Sequence, residues 1–176
     1  PFVDDGSASF SISGTAAVGN TLSINEDSAD PDGTGTLSYI WEISSDENNW
    51  NVAGTNSTYI VGASEEGKSI RAVLSYMDAQ GFNEVVTTPA SSIPFVDDGS
   101  ASFSISGTAA VGNTLSISED TVDPDGTGTL SYIWQISSDG NDWSVVGTNS
   151  THIVGASEEG KSIRAVISYM DAQGFN

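Results

Sequence analysis

The chain has no cysteine, one histidine (His152), and four basic side chains, Lys68, Arg71, Lys161 and Arg164, against 24 aspartates and glutamates. Each shortage excludes something. Without thiols there is neither a disulfide framework nor a thiolate metal site. With so few cations, the clustered phosphate contacts of a nucleic-acid binder cannot form. No apolar run approaches the roughly 20 residues of a membrane-spanning helix, and no charged-then-apolar leader opens the chain, so membrane insertion is not expected.

The net charge of -20 would suit a disordered chain, but four tryptophans, five tyrosines and regular apolar alternation argue for a packed fold. The charge then needs a use or a solvent. Either it is a solubilising acidic surface suited to a salty medium, or some of the carboxylates hold divalent cations.

What is present above all is repetition. Residues 94–176 repeat residues 1–83 without a slip in register, and only ten of the 83 aligned positions differ. A repeat of 93 residues is too long for a solenoid turn and about the size of one small sandwich domain. The second copy carries no counterpart of Glu84 to Ile93, so the chain reads as a piece of a longer array. The expected units are 1–93 and 94–176.

Within a unit, Ala8 to Ser13 and Asn20 to Ile24 alternate apolar and small polar residues, as half-buried strands do. Asn25 to Thr36 is rich in acids, with Pro31, Gly33 and Gly35, and reads as a loop. Leu37, Tyr39, Trp41 and Ile43 share one face of a central strand, where Trp41, and Trp134 in the second copy, should be buried. A polar hairpin leads to Trp50-Asn-Val52, then Ser57 to Val61, a turn at Glu65 to Lys68, and a long strand from Ile70 to Tyr76. Glu84 to Thr88 closes the unit as a seventh strand. Ile163 to Met170 should then present an open edge.

Seven strands, a tryptophan on the third and a tyrosine ending the sixth resemble the immunoglobulin sandwich. Two segments are more specific, Asp30-Pro-Asp-Gly-Thr-Gly-Thr-Leu-Ser-Tyr-Ile-Trp41 and Gly67-Lys-Ser-Ile-Arg-Ala-Val-Leu-Ser-Tyr-Met-Asp78. They look like the tandem immunoglobulin-like, or cadherin-like, repeats of very large secreted bacterial adhesins of the RTX type. The resemblance covers both units. It implies an all-β chain of two tandem immunoglobulin-like seven-stranded sandwiches, the second lacking its last strand. It also implies an extracellular, cell-surface or secreted location and a calcium-binding extender role in cell adhesion. Its partners would be neighbouring repeats of the same chain, with any glycan or cell-surface ligand bound elsewhere in the parent protein. No enzymatic activity is implied.

In such a sandwich the second-to-third and sixth-to-seventh loops share a pole with the incoming chain. Asp4, Asp5, Asp30, Asp32 and Asp78 are therefore expected to converge, and flexible oxygen ligands of this kind suit Ca2+. Asp-Pro-Asp-Gly is also ordinary turn chemistry, with Asp side chains capping their own backbone. At the junction, Glu65 and Glu66, or the hairpin Asp46-Glu47, are expected to meet Asp97, Asp98, Asp123, Asp125 and Asp171 in a second acidic cluster. Nothing catalytic assembles: His152 stands where the first copy has Tyr59, and no base is placed beside the many serines and threonines. Trp50 and Trp143 offer an alternative, a carbohydrate-binding accessory module that stacks sugars on their rings, against the commoner fate of packing on a sheet edge. Lys68 reads as a turn lysine, and the sequons at Asn56 and Asn149 carry little weight.

Overall fold

Large apolar residues alternate with serine and threonine along most of the chain, and that period of two decides which side chains turn inward. In the computed structural model, which describes residues 3–176, the regular elements are β-strands and two short 3-10 turns. Pro1 and Phe2, which begin the first repeat and its incoming segment, lie outside the described residues. The chain divides into a unit ending at Val96 and a unit spanning Asp97–Asn176.

The first unit contains β1 (Ser9–Ser13), β2 (Thr21–Ser28), β3 (Ser38–Ser44), β4 (Asn51–Gly54), β5 (Thr58–Ile60), β6 (Ser69–Met77), β7 (Asn83–Thr87) and β8 (Ser91–Ser92). One sheet has the order β1-β2-β5 and the other β4-β3-β6-β7, with β8 also pairing with β6. Phe10 and Leu22 from the first sheet share one buried cluster with Trp41, Ile43, Ile70, Ala72 and Leu74 from the second. Trp41 is 0% exposed, as its pattern requires. The residues opposite it are Gly54 and Ala72, whose small size leaves room for the indole. Its Nε1 donates to the Asn56 carbonyl at 2.9 Å, so the buried polar group is satisfied, and Tyr59 stacks on the ring at 5.7 Å.

The second unit contains β9 (Ser102–Ser106), β10 (Thr114–Thr121), β11 (Ser131–Ser137), β12 (Ser144–Gly147), β13 (Thr151–Ile153) and β14 (Ser162–Ser168). Its sheets have the orders β13-β10-β9 and β12-β11-β14. Trp134 is again fully buried, opposite Gly147 and Ala165, with Nε1 bonded to the Asn149 carbonyl at 2.8 Å. Among the described residues no strand pairs with the outer side of β14. Ile163, Ala165 and Ile167 are accordingly only half-buried, whereas their counterparts Ile70, Ala72 and Leu74 are fully enclosed.

Two segments depart from the reading of the sequence. β2 runs on to Ser28, into what reads as loop. Opposite Ser9 and Phe10 the ladder skips Asp27, a bulge on β2, and the side chains of Asn25 to Ser28 stay in solvent, so their polarity does not oppose a strand. The second departure is Ser91 to Ile93, to which the sequence pattern assigns no strand. It forms β8 on β6, and Ile93 is 1% exposed in the core.

Candidate metal centre

The β2–β3 loop carries Asp30 and Asp32, and Asp78 is the first residue after β6. Glycine at position 35 is what allows the two to meet. A Cβ there would collide with the Met77 carbonyl oxygen, so only glycine lets the loop lie against the end of β6. Gly128 stands in the same relation to the Met170 carbonyl.

Asp30, Asp32 and Asp78 each place a carboxylate oxygen within 4.8 Å of the others, and Asp30 and Asp78 are buried. Part of each carboxylate is committed locally. Asp30 accepts from the Asp32 N–H at 2.8 Å and from the Tyr76 hydroxyl at 2.7 Å, and that hydroxyl accepts from the Ala8 N–H at 2.7 Å. Asp32 accepts from the Asp5 N–H at 3.0 Å and from the Gln80 side-chain amide. Asp78 Oδ1 accepts from the N–H groups of Gln80 and Phe82, at 2.9 and 2.8 Å. Asp30 Oδ1 and Asp78 Oδ1 thus cap their own loops, as turn chemistry predicts, whereas Asp32 and Asp30 Oδ2 are held by groups from other segments.

These bonds do not cover every oxygen. Among the described residues, three buried side-chain polar atoms have no hydrogen-bond partner: Asp78 Oδ2, Gln80 Oε1 and Gln173 Oε1. All three are acceptors, and all lie on the loops that carry the acidic groups. A buried acceptor without a donor costs about 1–3 kcal/mol, more when charged. Glu84, at the start of β7, is held above the ordinary carboxylate value by burial and by the charges of Asp4, Asp30 and Asp78. The Tyr76 phenol is pushed up to about 12, first by burial and then by Asp30. Burial is the larger cause of both shifts, and the neighbouring carboxylates add to it.

In the second unit the three carboxylates that meet are Asp97, Asp125 and Asp171. Asp98 contributes its N–H to Asp125 at 2.8 Å, as Asp5 does to Asp32. Asp123 is buried and accepts from the Asp125 N–H and the Tyr169 hydroxyl, at 2.8 and 2.6 Å. That bond to Asp123, with burial, raises the Tyr169 phenol. The Gln173 side-chain amide donates to Asp125 at 2.7 Å.

The remaining candidates stand elsewhere or act differently. Asp4 accepts from the Gly6 N–H at 2.9 Å and reaches the site through its charge on Glu84. Asp5 and Asp98 serve through their backbones. Glu65 turns its carboxylate to the Tyr59 hydroxyl and to the Gly62 N–H, and Glu66 belongs to neither carboxylate group. His152 replaces Tyr59 in kind: it stacks on Trp134 at 5.6 Å and bonds Glu158 at 2.9 Å. Trp50 and Trp143 each carry a guanidinium over the ring, Arg71 at 4.1 Å and Arg164 at 4.0 Å. The residues that sequence reasoning missed are Glu84, Gln80 and Gln173. Register holds the signal for the first: a seventh strand beginning at Glu84 lands it opposite Tyr76, next to Asp78.

Neither a protein-family model nor a curated protein sequence matches the chain. Among solved structures it is similar to one described as "Ca2+-stabilized adhesin helps an Antarctic bacterium reach out and bind ice", with a TM-score of 0.31 and 12% identity. The match covers 96% of this chain and 46% of that one, so the chain spans just under half of its length.

Proposed function

We propose that the chain is an extender segment of a bacterial cell-surface or secreted adhesin, built of two immunoglobulin-like sandwiches that each bind calcium at one pole. The observation that carries the metal is the set of unpartnered buried oxygens on loops already crowded with carboxylates. Calcium, when bound, supplies a compact divalent charge that takes six to eight oxygen ligands at once. Asp30, Asp32 and Asp78 would hold it in the first unit, with Gln80 and Glu84 beside them. Asp97, Asp125 and Asp171, with Gln173, would hold it in the second. What these residues do is tie the β2–β3 loop, the turn after β6 and the incoming chain to one point. The extender role is supported by the sequence resemblance and by near-identity of the copies, since a spacer is made by duplication and needs no distinct site in each unit. The reading includes no enzymatic activity, and its partners are neighbouring repeats.

Calorimetric titration of the chain should find two calcium ions, and saturation at a hundred times the dissociation constant should add about 2.7 kcal/mol to a unit. Asp125→Ala or Asp171→Ala should remove most of the calcium-dependent rise in the second unit's melting temperature. Asp139→Ala should leave that rise intact, because Asp139 caps its own hairpin through the N–H groups of Asn141 and Asp142 at 2.9 and 3.0 Å. Melting indifferent to calcium would leave an acidic surface fitted to a salty medium. Glycan binding that disappears on Trp143→Ala would replace this reading with the carbohydrate module.

A further inference from the structure

One amide is left half-used in each unit, at the same place. Gln80 and Gln173 stand two residues beyond Asp78 and Asp171, and the backbone N–H of each donates to that aspartate's Oδ1, at 2.9 and 2.8 Å. Their side chains reach across to a different carboxylate: Nε2 donates to Asp32 in the first unit and to Asp125 in the second. Each glutamine is thus held at both ends by acids of the site. The second carboxylate also decides which way round the amide sits, because turning it over would set Oε1 against a carboxylate oxygen.

That orientation leaves Oε1 of both glutamines buried and without a donor. The only other such atom among the described residues is Oδ2 of Asp78, a residue 6% exposed. No basic side chain supplies the missing donor. Arg71 and Arg164 bond Glu42 and Gln135, and among the described residues neither Lys68 nor Lys161 pairs with a carboxylate of the two groups. The first unit, with β7 and β8 in place, shows the orphaned amide oxygen just as the second does, so the feature belongs to the repeat.

We propose that Gln80 and Gln173 are metal ligands through Oε1, and that they set the preference of the two sites for calcium over magnesium. The inference rests on the calcium reading above and adds to it the neutral ligand and the discrimination. Three carboxylates already outweigh a divalent ion, so a fourth would add repulsion, whereas an amide oxygen raises the number of ligands without adding charge. Calcium accepts such a crowded, irregular set of oxygens. Magnesium demands a tighter octahedron, keeps several of its waters and is held by one or two carboxylates, so it gains little from the amide. Anchored at Nε2 by Asp32 or Asp125, each glutamine has only its oxygen left to give.

The test titrates the full chain, stripped of metal, with calcium alone and with magnesium in competition, before and after Gln80→Met or Gln173→Met, which keep the length of the side chain and remove its amide. Each variant should weaken calcium about tenfold or more at one of the two sites and leave magnesium there within about twofold. Equal losses for both ions would overturn the proposal, since the amide would then only prop up Asp32 or Asp125. Unchanged calcium affinity would overturn it too, with water left to satisfy Oε1. If a variant does not fold, the unchanged chain decides by NMR: the Cδ resonances of Gln80 and Gln173 should move with calcium and stay with magnesium, while Gln135, bonded to Arg164, stays with both. Resonances that ignore calcium, or follow both ions alike, would overturn the proposal. An unchanged chain that binds neither ion would take the calcium reading down with it, whereas calcium bound equally by all three chains would remove this inference alone.

Discussion

Position 59 and its repeat, 152, show how one side chain can be exchanged while its task is kept. Tyr59 and His152 are both flat, both stack on the central tryptophan, and both meet a glutamate six residues on. The chemistry differs, because the imidazole can carry charge and the phenol can donate only its hydroxyl proton. Burial pushes the Glu158 carboxyl up, but bonds from His152 and the Gly155 N–H outweigh it and hold the group below its ordinary 4.5. A carboxyl depressed by folding stabilises in its ionised form. The contribution is complete above about pH 4.5 and is lost as pH falls through the folded value. Glu158→Gln should therefore lower the second unit's melting temperature at neutral pH and close most of that gap, relative to the unchanged chain, near pH 3. A gap of equal size at both pH values would mean that the side chain acts by shape alone. Trp41→Ala, which empties the fully enclosed site between Gly54 and Ala72, should cost about 3–5 kcal/mol and unfold the first unit at ambient temperature.

At the scale of elements, the segment from Asn83 to Ile93 is where the two units part company. It runs beside β6 as two strands interrupted at Pro89, and Thr88 fills the gap with its hydroxyl, whose Oγ1 accepts from the Ala72 N–H at 3.0 Å. Thr88→Val keeps the size and removes the acceptor, which leaves the Ala72 N–H unpaired in a buried place; equilibrium denaturation should register a loss of about 1–3 kcal/mol. Ile93→Ala should cost about 2–5 kcal/mol in the same measurement. An unchanged midpoint for Ile93→Ala would mean that the cleft closes around the smaller residue. The sequence made some of this legible and hid the rest for physical reasons. Trp41, Leu74 and the long strands could be read because alternation over seven or nine residues has no other explanation. Asp30, Asp32 and Asp78 could be placed together because an immunoglobulin-like sandwich brings their two loops to one pole; Asp4 and Asp5, expected beside them, are not in the carboxylate group. Ile93 could not, since a lone isoleucine after two serines has no periodicity and its burial depends on a cleft built by distant residues. The end of β2 was hidden because Glu26-Asp27-Ser28 faces solvent, and exposed strand residues need no apolar signature. Gln80 and Gln173 were invisible as site residues because an amide contributes only when the loop geometry aims its oxygen inward.

For the whole molecule, charge sets one expectation and repetition another. With a net charge of -20, self-repulsion weakens the folded state at low ionic strength, so added monovalent salt should raise both melting transitions modestly even with calcium removed. Flat melting temperatures across that salt range would mean that the carboxylates are already far enough apart in the native chain. Repetition acts earlier, before either unit exists. β3 pairs with β6 through Trp41 and Ala72, and β11 with β14 through Trp134 and Ala165, in the same register. Along those strands the copies differ only at Glu42/Gln135 and Leu74/Ile167. The Glu42–Arg71 ion pair, at 2.8 Å on a partly exposed face, is worth at most about 1 kcal/mol, too little to reject a strand from the wrong copy. Rapid dilution of the full chain from guanidinium should therefore trap a long-lived monomeric fraction in which strands have crossed between copies, visible as a slow tryptophan-fluorescence phase. Complete refolding in one fast phase would show that proximity along the chain is enough to sort them. On a ribosome the ambiguity scarcely arises, because the first copy can close before its competitor has been made.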